Sequence, residues 1–93
     1  MKISKRAWRK YAKDLGEKFE ELKSSWDEDR LTEEEKLNAW NVACDTRKKI
    51  ARAYERGGNE EKADYNSRLL TRNLIGRFNQ IIRMKYRVDY RFS

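Results

Sequence analysis

Lysine and arginine are the residues whose number and spacing could do chemistry in this sequence, because each can neutralise a phosphate or a carboxylate. The chain has 93 residues, with 23 Lys and Arg against 16 Asp and Glu, and a net charge of +7. Residues 1–13 hold six bases and no acid, residues 14–36 hold ten acids and four bases, and residues 68–93 are basic again. Such blocks attract nucleic acid, anionic membranes or acidic proteins, or they pair with each other inside the fold. The sequence supports both interpretations equally.

Catalytic chemistry has little support in the sequence. The chain contains no His, and its one cysteine, Cys44, lies on an apolar stripe without a base that could activate it. The only pair of glycines, at 57–58, reads as a helix stop rather than a phosphate loop. The acidic run at 27–35 lacks the later ligands and the glycine of a calcium loop. We therefore predict a protein that is not an enzyme and has no metal and no cofactor.

Amphipathic stripes predict the helices that position the charges. Helix 1 is expected over residues 5–25, and helix 2 over residues 33–56 with a Thr32–Glu35 capping box at its start. The stripe of helix 1 is Trp8, Ala12, Leu15, Phe19, Leu22 and Trp26. The stripe of helix 2 is Leu37, Trp40, Ala43, Cys44, Ile50, Ala51 and Tyr54, with Arg47 in its middle. The short breaks between helices predict antiparallel neighbours.

Helix 3 is expected over residues 60–83, followed by a tail with a different period. The apolar face of helix 3 is Ala63, Leu70, Leu74, Phe78, Ile81 and Ile82. From residue 84 to 92 apolar residues fall on every second position, which is typical of a β-strand. We predict an all-α, three-helix, up-down-up antiparallel bundle at 1–83 and an extended basic, aromatic tail at 84–93. Because a lone strand is unstable, we expect the tail to pair between two subunits of a homodimer.

The predicted arrangement brings the start of helix 1 and the end of helix 2 together, and so gathers bases with few acids nearby. We rank this basic end first as a nucleic-acid-binding site: Lys5, Arg6, Arg9, Lys10, Lys13, Lys48, Lys49, Arg52 and Arg56. Further candidate phosphate contacts follow helix 3 and the tail: Arg68, Arg72, Arg83, Arg87 and Arg91. The candidate stacking or dimerisation residues are Tyr86, Val88, Tyr90 and Phe92.

Two residues interrupt the expected pattern of the helices. Gly76 lies mid-helix beside the arginines of helix 3, where it permits either the close approach of a partner or tight helix packing, which we favour slightly. Arg47 lies on the apolar stripe of helix 2, where a charge is costly unless it is paired. We expect it to pair with Asp14 or Glu17, or to lie over the ring of Trp40 or Tyr54. A phosphate-binding role for Arg47 is the less favoured alternative.

Two functions compete at this point. The first is a small basic helical protein that captures or masks nucleic acid without catalysis. RNA is preferred to DNA because bases can stack on the aromatic tail and because helix 2 is too long for a helix-turn-helix reader. The alternative is a protein-binding adaptor or inhibitor, for example a viral counter-defence or regulatory factor, that acts through a helix face or the C-terminal strand.

Cysteine usage and hydropathy predict the compartment. A single cysteine cannot form an internal disulfide, which fits a reducing compartment. The longest apolar runs are only two or three residues, so we expect no signal peptide and no membrane partner. The sequence therefore predicts a cytoplasmic protein.

Overall fold

The computed structural model describes the backbone of residues 2–91 and the side chains of residues 2–86. It contains three α-helices: α1 spans Lys5–Ser24, α2 spans Glu33–Arg56 and α3 spans Glu60–Arg91. The prediction of an all-α helical bundle is confirmed, and the bounds of α2 agree with the prediction at both ends. The body is elongated, 57 × 23 × 22 Å, and α3 is its longest helix with 32 residues.

Side-chain caps set the boundaries of the helices. Ser4 caps the start of α1, and its hydroxyl accepts a hydrogen bond of 3.1 Å from a backbone N–H of the first turn. Thr32 and Glu35 form the predicted capping box of α2, with two reciprocal hydrogen bonds of 3.1 Å. After α2, Gly58 adopts a φ of 77°, a left-handed conformation that favours glycine. Asn59 then caps α3. Local sequence therefore explains where each helix begins and where α2 ends.

The central helix is α2. It packs against α1 and against α3, whereas α1 and α3 do not pack against each other within residues 2–91. The main apolar cluster lies between α1 and α2 and comprises Ala12, Ile50, Ala53 and Tyr54. Ile50 has 1% of its surface exposed and is the largest fully buried side chain described. Because α1 and α3 lie apart, a groove runs along α2 between them, with Arg47 in its middle.

The side of α3 that is turned inward has polar residues at its most buried positions. Asn66 and Gln80 are buried on it, and the ring of Trp40 covers Gly76. A Cβ atom at Gly76 would lie 2.5 Å from the nearest ring atom of Trp40, so a larger residue there displaces the indole. The glycine therefore serves helix packing, the interpretation that the sequence slightly favoured.

The predicted apolar face of α3 does not form the core. Leu74, Phe78 and Ile81 are exposed, and only Ala63, Leu70 and Ile82 of that face are half-buried. The physical reason is that the buried polar residues of α3 need partners on the other helices, which sets the rotation of α3 about its axis. Periodicity located the apolar stripe, but it was wrong about the direction in which most of that stripe points.

The C-terminal segment also differs from its prediction. The helix α3 continues through Arg91, so residues 84–91 are helical where the alternation predicted an extended strand. No proline or glycine follows Gly76, so nothing in the local sequence ends the helix. Tyr86 and Tyr90 are two positions of the alternating pattern, yet they are also one helical turn apart. The strand and its pairing between subunits are not confirmed, and the division of the chain at residue 84 stays a prediction.

Candidate functional site

Contacts between the start of α1 and the end of α2 build the basic end. The guanidinium of Arg9 donates a hydrogen bond of 3.0 Å to the carbonyl oxygen of Gly57. The guanidinium of Arg56 lies 4.9 Å from the centre of the Trp8 ring, which is a cation–π contact. Arg9 thus satisfies a carbonyl at the C-terminus of α2, where the helix dipole also favours a positive charge. These two arginines have structural partners.

The other seven predicted bases of this end have no such partner. Within the described residues, they take part in no ion pair and no side-chain hydrogen bond, and all are exposed. They are Lys5, Arg6, Lys10, Lys13, Lys48, Lys49 and Arg52. On each helix they lie within roughly 12 Å of axial length. Pairing with the acidic block inside the fold is therefore the wrong interpretation for these seven.

Six of these seven bases, together with Arg56, form two strips, one on α1 and one on α2. The first strip lies on one face of α1 and comprises Arg6, Lys10 and Lys13. The second strip lies on one face of α2 and comprises Lys48, Lys49, Arg52 and Arg56. Lys13 lines the groove between α1 and α3, whereas Arg56 covers Trp8, which stands about 140° around α1 from Lys13. The basic end is thus curved, and a ligand that contacts both strips must bend around it.

The start of α1 is basic, whereas the other helices begin with acids. The first turn of α1 contains no acidic residue, while α2 begins with Glu33–Glu35 and α3 with Glu60–Glu61. The N-terminus of a helix carries a partial positive charge, so a base there opposes the dipole by roughly 0.3–1 kcal/mol. The bases at the start of α1 therefore do not serve the stability of α1.

The predicted line of arginines on α3 is not one uniform surface. Arg68 forms an exposed ion pair with Asp64 at 2.9 Å, whereas Arg72 has no ion-pair partner among the described residues. Arg83 lines a cleft that faces the end of α1. Tyr86 is exposed. Outside the described side chains lie Arg87, Val88, Tyr90, Arg91 and Phe92.

Arg47 connects all three helices at the middle of the groove. Its guanidinium donates to Oε1 of Glu20 on α1 at 3.0 Å and to Oδ1 of Asn66 on α3 at 2.9 Å. Its Cζ atom lies 4.9 Å from the centre of the Phe19 ring. Only 9% of its surface is exposed. Arg47 therefore acts as a structural tie between the two helices that flank α2.

The partners predicted for Arg47 are wrong. The carboxylate is Glu20 rather than Asp14 or Glu17, and the ring is Phe19 rather than Trp40 or Tyr54. The heptad stripe predicted which face of α1 meets α2, but the axial offset between the two helices decides which residue arrives opposite Arg47. With Arg47 engaged on both sides, the less favoured phosphate-binding role has no support.

A cleft adjoins Arg47 at the end of the molecule where α1 meets α2 through the turn. Its volume is about 510 Å³, and Phe19, Trp26 and Trp40 are among its walls. The rings of Phe19 and Trp26 meet edge to face, with centres 6.2 Å apart. The sequence placed all three rings in core stripes. The cleft exists because α1 and α3 do not meet above α2.

Cys44 is buried on α2 and is not a reactive thiol. Burial raises the pKa of the Cys44 thiol, Arg77 opposes that rise, and Asp45 adds to it. The protonated thiol is therefore favoured over the thiolate, which is the nucleophilic form.

Sequence reasoning missed one exposed surface, the apolar face of α3. Residues 65–88 hold six bases and no acid, so the segment that carries this apolar face is basic. That composition was visible in the sequence. The exposure of the apolar residues was not expected, because the sequence pattern assigned them to the core.

No protein-family model, no curated protein and no solved structure matches the chain. Along the described residues, no helix combines the length and the apolar content that crossing a membrane requires. Nor do three or more metal-ligating side chains come together anywhere in that part of the chain.

Proposed function

We propose that the protein binds nucleic acid without catalysis, through the basic end formed by α1 and α2. The observation that carries this proposal is the set of seven exposed bases that have no partner in the described fold. Each phosphate that such a surface neutralises releases counterions, which drives binding at moderate salt. Bases at the start of α1 oppose its dipole, so an anionic ligand would relieve that repulsion. The expected action is electrostatic capture or masking, with little reading of base sequence.

A flexible single strand suits the curved surface better than a rigid duplex. The two basic strips lie on different sides of α1, and a single strand can follow both of them. The proposal assumes an up-down-up order of helices, which the contacts of Arg9 with Gly57 and of Gln80 with Glu33 support. RNA rather than DNA, a homodimeric state and a cytoplasmic location stay predictions. Strand flexibility favours a single strand over a duplex, and it does not choose between RNA and DNA.

Fluorescence anisotropy with the purified full chain tests the proposal. The labelled probes are single-stranded RNA, double-stranded RNA and duplex DNA, each titrated over a series of salt concentrations. If all seven bases contact phosphates of a single strand, the slope of log K against log salt is about −5. We expect the single-stranded RNA to bind most tightly.

Two variants of equal net charge test whether nucleic-acid affinity depends on the position of the bases or only on their number. The first removes four bases of the basic end: Arg6→Gln, Lys10→Gln, Lys49→Gln and Arg52→Gln. The control removes four exposed bases elsewhere, none of them a candidate phosphate contact: Lys18→Gln, Lys23→Gln, Arg30→Gln and Lys85→Gln. The first variant should lose about 3 from the magnitude of the salt slope, and the control should lose much less. Equal losses in both variants would reject the basic end as the site.

The alternative function is a protein-binding adaptor or inhibitor that acts through a helix face. One observation favours it: the exposed apolar residues of α3, which lie away from the basic end. Its partner surface would be much less sensitive to salt than phosphate capture. The absence of any binding to the three nucleic acids at low salt would favour this alternative.

A further inference from the structure

The outer face of α3 is the largest group of exposed apolar side chains that the structure describes. It comprises Leu74, Ile75, Phe78, Ile81 and Tyr86, whose exposed fractions run from 40% at Leu74 to 61% at Phe78 and Tyr86. Isolated apolar residues on a surface are ordinary, but a contiguous group marks an interaction site. Phe78 lies about 27 Å along the helix from the start of α3, so this surface is separate from the basic end.

The orientation of this face is set by buried hydrogen bonds. On the opposite side of α3, Asn66 accepts from Arg47 and donates to the carbonyl of Lys62 at 2.8 Å. Gln80 donates to the carbonyl oxygen and to the carboxylate of Glu33. Rotating α3 to bury its apolar face would break the bond of Asn66 to Arg47 and the bonds of Gln80 to Glu33, which cross between helices. The outward position of the apolar residues is therefore specified by the fold.

The flanks of the face indicate the charge of its partner. No acid occurs between Asp64 and Asp89. The bases Arg72, Arg83 and Lys85 of this stretch are exposed, whereas Arg77 turns toward Asn41 of α2. A second copy of this helix would bring basic flanks together, which is unfavourable. A partner with acidic residues beside its own apolar surface would be complementary in charge to this side of α3.

The spacing of the face indicates the shape of its partner. Leu74, Phe78 and Ile81 step by four and three residues, as do the contact positions between two helices packed side by side. We propose that the outer face of α3 binds an amphipathic helix of another protein, one whose apolar stripe is flanked by Asp and Glu. This inference does not depend on the proposed nucleic-acid function.

Designed peptides test the inference with the full chain. The first peptide is a helix of three heptads with Leu at the contact positions and Glu at the flanking positions. The second has the same composition, but its leucines are distributed around the helix. The third carries Lys in place of Glu. We expect the first peptide to bind at least about tenfold more tightly than either control, measured by anisotropy.

Surface variants locate the binding. The double variant Phe78→Ser, Ile81→Ser should weaken binding of the Glu-flanked peptide by about tenfold or more, because it removes the centre of the apolar face. The matched control is Tyr65→Ser, since Tyr65 lies on the same helix with the same 61% exposure but outside the face. This control should leave the affinity unchanged. Circular dichroism verifies that each variant stays helical.

Each remaining outcome overturns the proposal. Equal binding of the amphipathic and the redistributed peptide would mean that charge alone attracts them, for example to the basic end. A dimer in light scattering that Phe78→Ser converts to a monomer would make a second copy the occupant. Binding of the chain to phosphatidylglycerol vesicles, lost in the double variant, together with no peptide binding would make a membrane surface the occupant.

Discussion

The central helix α2 uses two different kinds of interface with its neighbours. Against α1 it buries apolar side chains, with Ile50 and Ala12 almost fully enclosed. Against α3 it presents Trp40 to a glycine, and hydrogen-bonded groups to Asn66 and Gln80. Burial of apolar side chains stabilises the α1–α2 interface and depends little on direction. The hydrogen bonds of the α3 interface depend on distance and angle, so they fix the rotation of α3 about its axis. The second interface thereby leaves the apolar residues of α3 outside.

The largest effect is expected in the apolar interface. Ile50→Ala should lower the free energy of unfolding by roughly 2–5 kcal/mol, because it leaves a cavity between α1 and α2. Ile75→Ala is the control, since Ile75 is 56% exposed on the outer face of α3 and should change stability by less than about 0.5 kcal/mol. Urea denaturation measures both. A large loss at Ile75 would show that the outer face is covered in solution.

Glycine substitutions compare the two interfaces directly. They should change the free energy of unfolding by less than Ile50→Ala does. Gly76→Ala should lower stability by about 1–2 kcal/mol, because its Cβ meets the Trp40 ring. Gly16→Ala should instead raise stability by about 1 kcal/mol through helix propensity, since its Cβ would meet only the Cδ1 atom of Ile50 at 4.0 Å.

The same substitution in a protein that lacks the Trp40 ring isolates the contact between residue 76 and the indole. In a Trp40→Ala protein, Gly76→Ala should become stabilising, since the obstructing ring is gone. A substitution at Gly76 that stabilises the natural protein would mean that Trp40 moves aside, for example into the neighbouring cleft.

The smallest effect is expected at the buried amide. Gln80→Met keeps the length of the side chain but removes the hydrogen bonds to Glu33, and should lower stability by about 1 kcal/mol. Asn79→Met is its exposed neighbour and should be nearly neutral. Thermal unfolding compares the two. If Gln80→Met stabilises the protein, the polar contacts do not hold α3 in place, and the contrast between the interfaces fails.

Much of the fold was predictable because its determinants are local. The caps at Ser4 and Thr32 and the stop at residues 57–58 are chain neighbours of the helices they delimit. The stripes of α1 and α2 also pointed to their common interface, because apolar burial there follows the helical period. The alternation after residue 84 predicted a strand, whereas α3 continues there. Positions that alternate by two include pairs four residues apart, and such pairs also lie one turn apart on a helix.

The candidate site was predictable only in part. Bases near the two helix ends could be brought together from topology alone. The sequence could not predict which of these bases stay unpaired, because Arg9 and Arg56 find their partners across the interface of two helices. The partner of Arg47 likewise depends on an axial offset that no local pattern contains.

By itself the sequence determined three helices, the start of each, the end of α2, the apolar contact of α1 with α2, and a basic end. These follow from capping, periodicity and charge, which act over a few residues. Only the tertiary structure decided which way α3 faces, which bases remain unpaired, and where Arg47 reaches. Those outcomes depend on hydrogen bonds between residues far apart in the chain, whose geometry exists only once the helices have packed.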